Sequence, residues 1–233
     1  MMKLYLIPCN LSDNKLDEVL PRYVLEDIIP NITVYMVENL RTARRFLKKV
    51  DRSINIDELI FCEIGKNSDR NEVSHFFEKH YDRYDIGVLS EAGCPGVADP
   101  GSEMVALAHQ KGMQVVPLVG PSSILLALMG SGFNGQQFTF HGYLPVQKGE
   151  RAKILKRLEA QVRKLQQTQI FIETPFRNMQ LLDAIVEHCH PKSKLCIACN
   201  LTATDEFIQT KTVGEWKSNL PKIHKKPSLF ILG

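Results

Sequence analysis

Apolar residues along the chain fall into short runs rich in β-branched and aromatic side chains, at 4–7, 33–37, 59–62, 86–89, 114–117, 169–172, 195–199 and 229–232. Runs this short, bounded by polar or turn-forming residues, predict buried strands. Between several of them the spacing changes to the helical period. Over 102–111, Met104, Val105, Leu107 and Ala108 form one apolar face, Ser102 is placed to cap the helix and Gly112 to end it. The run SSILLALM at 122–129 is apolar almost all round, which predicts a helix buried on most sides. Patterns at 38–49 and 151–167 are amphipathic, with Arg and Lys on the polar face. Solvation is the ordinary meaning of such a face, and phosphate contact is the alternative. Strands alternating with helices define an α/β chain.

The chain has 233 residues, enough for one large domain or two small ones. Two α/β domains are expected, 1–118 and 119–233, because the strand ending at Pro117 runs into LVGPSS, where Gly120 and Pro121 make a stiff crossing. Hydrophobic residues at 44% and charged residues at 24% fit a globular protein and exclude a fibrous or disordered one. A net charge of +3 neither demands nor excludes a nucleic-acid partner. No apolar run is long enough to span a bilayer, and MMKLYLIPCNLSDNK turns polar too soon for a secretory signal, so no membrane partner and a cytoplasmic location are expected. In that setting the six cysteines read as reduced thiols. His188, Cys189, His190, Cys196 and Cys199 bring soft ligands together in sequence, and CIAC has a zinc-like spacing. Residues 194–199 nevertheless read as a strand, on which positions three apart face opposite sides, so no metal site is expected.

Three strands end in loops of unusual composition: SEAGCPGVADPGS after Leu89, LVGPSS after Pro117 and ETPFRN after Ile172. In open α/β sheets ligands bind beyond the carboxyl ends of strands, and glycines let backbone approach a ligand. The templates of common hydrolases and nucleotide-binding enzymes are missing: there is no HExxH, Walker loop, GxSxG or GxGxxG.

The ordered blocks SEAGCPGVADPG, VVPLVGPSSILLALMGSG, FHGYLP with KGER, and IFIETPFR resemble the tetrapyrrole methylase superfamily of S-adenosylmethionine-dependent methyltransferases. They are most similar to the branch that methylates a ribose 2′-hydroxyl of small-subunit ribosomal RNA. ENLRTARRFL at 38–47 resembles that branch's EDTRxTRxLL segment. The resemblance implies two α/β domains with the cofactor between them, a homodimer, and S-adenosylmethionine as methyl donor. It implies a cofactor pocket drawn from Pro8, Ser90, Glu91, Ala92, Gly93, Asp99, Pro100, Gly101, Pro121, Ser122, Phe171, Glu173 and Pro175. For ribosomal RNA or the small ribosomal subunit as substrate it implies contacts from Arg41, Arg44, Lys148, Arg151 and Arg177.

Transfer from a sulfonium is an in-line displacement that needs alignment more than a metal. A hydroxyl acceptor benefits from a general base, for which Glu38 and His141 are candidates by residue type. Glu38 pairing with Arg41 at a helix start is the alternative for the first. The sequence departs from the branch where IPCNL stands for a TPIGNL-like loop, where Asn39 and Leu40 replace Asp and Thr, and where Val146 and Gln147 follow FLP-like YLP. Between 148 and 164, Lys148, Arg151, Lys153, Lys156, Arg157, Arg163 and Lys164 face only Glu150 and Glu159, which keeps an RNA acceptor in view. Methylation of a tetrapyrrole or other small molecule, and cofactor binding without turnover, remain as alternatives.

Overall fold

A computed structural model describes all residues from Met1 to Gly233. The chain divides into two α/β units, Met1–Ser122 and Ser123–Gly233.

Unit 1 is built on five parallel strands, β1 (Lys3–Ile7), β2 (Val34–Val37), β3 (Ile60–Glu63), β4 (Ile86–Leu89) and β5 (Gln114–Pro117), in the order β3-β2-β4-β1-β5. β2 and β4 are buried at every position, as strands covered on both faces must be. Alternation splits them between two cores. Tyr35, Val37 and Leu89 join Phe46 and Leu47 on one face, while Val34, Met36, Ile86 and Val88 join Phe77 and Met104 on the other. Helix α1 (Leu40–Val50) covers the first face through Ala43, Phe46 and Leu47. α2 (Arg70–His80) and α3 (Ser102–Gln110) cover the second through Val73, Phe77, Met104 and Ala108.

Asn39 caps α1 by accepting from the Thr42 amide, so the Asp-to-Asn departure noted in sequence keeps the capping chemistry. At α3 the structure corrects the sequence reading. Gly101 occupies the cap position at φ +136° and Ser102 is the first helical residue, with no side-chain cap. The preceding loop arrives in a conformation that only glycine adopts readily, which moves the hydroxyl one position into the helix.

Unit 2 carries a mixed sheet of β6 (Phe138–Tyr143), β7 (Thr168–Glu173), β8 (Lys194–Cys199), β9 (Phe207–Thr212) and β10 (Ser228–Leu232), in the order β6-β7-β10-β8-β9. β6 runs parallel to β7, and the other pairings are antiparallel. Its main core joins Phe171, Ile197 and Phe230 to Leu155 and Leu158 of α5 (Lys148–Leu165), Leu181 and Ile185 of α6 (Asn178–His188), and Trp216 of α7 (Val213–Ser218). The Trp216 indole N–H donates to the Leu195 carbonyl at 2.9 Å. Helix α4 (Ser123–Ser131) packs against β8, β9 and β10 through Ile124, Ala127 and Leu128. Its outer face is not buried as its composition suggested: Leu125 is 50% exposed and Met129 is 78% exposed. A single helix on this side of a sheet has only one face with a partner.

Candidate functional site

Because the strands of unit 1 are parallel, the loops after their carboxyl ends gather at one edge of the sheet. Backbone bonds tie these loops together. The Cys9 amide donates to the Gly93 carbonyl at 2.8 Å, and the Gly93 amide returns to Cys9 at 3.1 Å. The Glu38 amide donates to Leu89 at 2.9 Å, and Glu38 Oε2 accepts from the Glu91 amide at 3.0 Å. Thr42 Oγ1 reaches Glu91 Oε1 at 3.4 Å, and the Cys94 thiol donates to the Pro121 carbonyl at 3.5 Å. Pro8 packs so closely on Gly120 that a side chain there would collide with its ring. Of the residues expected in the cofactor pocket, Pro8, Ser90, Glu91, Ala92, Gly93 and Pro121 therefore share this edge, with Ser122 closing the unit.

The loop from Ser90 to Gly101 doubles back on itself. Gly93, Gly96, Ala98 and Gly101 all have positive φ, and the Gly96 amide donates to the Pro100 carbonyl at 3.0 Å. A Cβ on Gly101 would stand 3.0 Å from the Gly96 nitrogen, so the turn closes only around glycine. Asp99 and Pro100 are thereby delivered to the start of α3.

Three carboxylates set the electrostatics of this edge. Partial burial, then Glu38, then Glu91, push the Asp99 carboxyl up to about 6. Burial first, and then Asp99 and Glu38, push the Cys9 thiol up to about 12, so it is no nucleophile at neutral pH. A groove of about 910 Å³ opens beside Glu38, Asn39, Glu63 and Glu91, with Phe61 and Phe76 among its apolar walls. A smaller cavity of about 220 Å³ is lined by Cys9, Asn10, Thr42, Arg45, Lys49 and Ser90, among others.

Glu38 does not pair with Arg41. Its carboxylate holds the Glu91 amide instead, since the chain after β2 turns towards β4 before α1 begins. Sequence reasoning overlooked Glu63, whose Oε1 accepts from the Leu40 amide at 2.7 Å, and Thr42. Applying the rule of strand carboxyl ends to β3 would have pointed to Glu63.

The remaining expected residues lie in unit 2. Phe171 is buried and stacks on Phe230, with ring centroids 6.1 Å apart. The Glu173 side chain is 1% exposed, and its Oε1 accepts from Arg177 Nη2 at 2.7 Å, Arg177 Nε at 3.1 Å and the Thr174 amide at 2.7 Å. Glu173 Oε2 is buried without a partner. Arg177 is thus committed to an internal ion pair. The Pro175 carbonyl accepts from the Lys225 amide at 2.9 Å, which fixes this turn. Lys148 is exposed at the start of α5, whereas Arg151, on the same helix face as Leu155 and Leu158, is only 5% exposed. The His141 Nε2 atom lies 2.7 Å from Gln169 Oε1, and the Gln169 amide donates in turn to the Gln167 carbonyl. Cys196 and Cys199 are buried on β8, and Cys189 is buried at the end of α6.

A parallel sheet with glycine-rich loops at one edge, followed by a mixed-sheet α/β unit, is the architecture of the tetrapyrrole methylase fold. The chain superposes over 99% of its length on uroporphyrin-III C-methyl transferase from Thermus thermophilus complexed with S-adenyl homocysteine, covering 97% of that chain at a TM-score of 0.56 and 17% identity. No protein-family model matches the chain. It is 30% identical over 212 residues to the ribosomal RNA small subunit methyltransferase I of Bacillus subtilis strain 168, covering 91% of this chain and 68% of that protein. The protein of the same description from Vibrio cholerae serotype O1 is 28% identical over 213 residues, covering 91% of this chain and 69% of its own length. These relatives make the chain a methyltransferase. The chain belongs to the ribosomal RNA small subunit methyltransferase I family.

Proposed function

We propose that the chain transfers a methyl group from S-adenosylmethionine to a ribose 2′-hydroxyl of small-subunit ribosomal RNA, in the cytoplasm and as a homodimer. The observation that carries this reading is the set of carboxylates Glu38, Glu91 and Asp99 at the looped edge of unit 1, where Asp99 is pushed up to about 6 by partial burial and by the other two. Such a concentration of negative charge suits a cationic ligand. The names of the relatives supply the acceptor class, and the exposed apolar side of α4 is a surface that a second copy would cover.

The residues present fit the cofactor. The Gly96–Gly101 crossing packs backbone against backbone as a tight cradle with no room for a Cβ on Gly101, and the same loop carries Asp99, whose carboxyl is pushed up to about 6. Ser90 to Gly93, Asp99 to Gly101, Pro8, Pro121 and Ser122 would hold it from unit 1. When bound, it supplies an electrophilic methyl group on a positively charged sulfur. The chain's own tasks are to hold the acceptor in line, exclude water and take up the hydroxyl proton. Glu38 is the proposed base, because its carboxylate also lines the groove of about 910 Å³, whereas His141 is engaged with Gln169. Arg41, Arg44 and Lys148 are exposed and are the proposed phosphate contacts, while Arg151 is buried in unit 2 and the half-exposed Arg177 pairs with Glu173.

Incubation with small ribosomal subunits and methyl-labelled donor should place label in the RNA, within a linkage that resists alkali because its 2′-hydroxyl is blocked. Label in protein or small molecules alone, or no titration heat with the cofactor, would sink the proposal.

A further inference from the structure

We infer that the outer face of α1 is a track for RNA phosphates, an inference that rests on the RNA acceptor proposed above. Arg41, Arg44, Arg45, Lys48 and Lys49 follow the spacing i, i+3, i+4, i+7, i+8, which puts all five on one side of the helix. The opposite side, Ala43, Phe46 and Leu47, is buried in unit 1. All five cations are exposed, none enters an ion pair, and α1 contains no acidic residue.

A face that merely keeps a helix in water mixes signs, because like charges three or four positions apart weaken the helix. Other helices here do mix them. α5 intersperses Glu150 and Glu159, and α2 carries Glu72 and Glu78, the latter paired with Lys111 at 2.7 Å. α1 sustains Arg41 beside Arg45, Arg44 beside Lys48 and Arg45 beside Lys49 with no acidic residue on the helix itself, and only Asp51, at its C-terminal cap, acts on Lys48. Several of these cations are held by groups that orient charge without cancelling it. The Arg44 guanidinium stands 5.6 Å over the Phe61 ring, Lys48 Nζ donates to the Arg52 carbonyl at 3.0 Å, and Lys49 Nζ donates to the Asn14 carbonyl at 2.6 Å.

The stripe also has a destination. Arg45 and Lys49 line the cavity of about 220 Å³ whose other walls include Asn10, Asp13, Thr42, Ser90 and Glu91, so it runs to the loops after β1 and β4, where the two carboxylates mark its end. Arg45, Lys48 and Lys49 fall outside the motif positions that match the family, and they extend the charge of Arg41 and Arg44 by little more than one helical turn.

The test is the salt dependence of binding. On a single strand, the logarithm of affinity falls with the logarithm of salt concentration by about 0.7 per phosphate contact. The full chain, the double variant Arg45→Gln with Lys48→Gln, and a control pair on α5, Lys153→Gln with Arg157→Gln, are titrated against a fluorescein-labelled fragment of small-subunit ribosomal RNA. The range is about 50 to 200 mM potassium chloride, where such contacts change affinity most visibly. Loss of about 1.4 from the slope in the α1 pair, no change in the α5 pair, and recovery with Arg45→Lys and Lys48→Arg are the expected results. An unchanged slope in the α1 pair, an equal loss in the α5 pair, or no RNA binding by the parent protein overturns the inference. Methyl transfer measured on the same samples separates the two readings. Binding that depends on α1 without transfer to RNA removes the proposed function and leaves the track, and transfer with binding indifferent to α1 does the reverse.

Discussion

Asp99→Asn removes one charge from the crowded edge of unit 1, and its effect on stability follows from the position of that carboxyl. Burial, Glu38 and Glu91 raise Asp99 from 3.8 to about 6. A carboxyl raised in the folded state keeps its proton where the unfolded chain has already lost it. Stability therefore falls as pH rises between about 4 and 6, and the full penalty stands above that window. At about 1.36 kcal/mol per unit the shift corresponds to about 3 kcal/mol. Asp99 is only half-buried and its neighbours are screened by water, so roughly 1 kcal/mol is the figure to expect. Urea unfolding at pH 4, 6 and 8 measures it. The variant should be more stable than its parent by roughly 1 kcal/mol at pH 8, with the advantage shrinking to nothing near pH 4. Cofactor affinity should move the other way, as expected where function tolerates local strain. A variant no more stable at pH 8, or a gain that survives at pH 4, refutes the assignment of repulsion to this edge.

Gly101→Ala should lower stability by about 1–3 kcal/mol and weaken cofactor binding, because φ +136° and a Cβ 3.0 Å from the Gly96 nitrogen strain the turn that presents Asp99; unchanged unfolding would contradict the cradle. Arg177→Ala leaves the buried Glu173 carboxylate unpaired and should lose about 3 kcal/mol, with partial recovery on adding Glu173→Gln. Equal losses in the single and double variants, read by chemical denaturation, would remove the ion pair from consideration. Burial pushes the Cys9 and Cys189 thiols up to about 12, so both should stay unmodified by a disulfide reagent at pH 8 in the folded protein. Mass mapping that finds Cys9 reacting ahead of the more exposed Cys62 would show that its burial is wrong.

In unit 1, β4 was legible because burial on both faces forces a continuous apolar run, IGVL at 86–89, while at the sheet edge QVVP at 114–117 coincides with β5 through its two half-buried valines. β6 and β9 escaped the same reading. FTFHGY and FIQTKT form the two edges of the unit 2 sheet, where half-exposed positions admit His, Gly, Gln and Lys and the apolar run disappears. α2 was missed because only Val73, Phe77 and His80 of RNEVSHFFEKH are buried, too few to show a stripe. At the site, composition located the 88–101 loop. It could not show that Glu38 holds the Glu91 amide, nor that Glu63 meets the start of α1, because both contacts join residues distant in sequence. Arg177 illustrates the converse: its motif position suggested a substrate contact, and only the folded structure shows that its guanidinium also pairs with the buried Glu173.

The place of β10 has a consequence for how unit 2 comes into being. Ser228–Leu232 follows every other strand in sequence, yet it stands at the centre of the sheet, pairing with β7 on one side and β8 on the other. Until that segment emerges during synthesis, β6–β7 and β8–β9 can exist only as two ladders with bare inner edges. Unit 1 has no such wait, since its fifth strand is complete at Pro117. Vectorial folding should therefore proceed in two stages, with the second half of the chain most exposed to strand-edge misassembly until its last strand inserts.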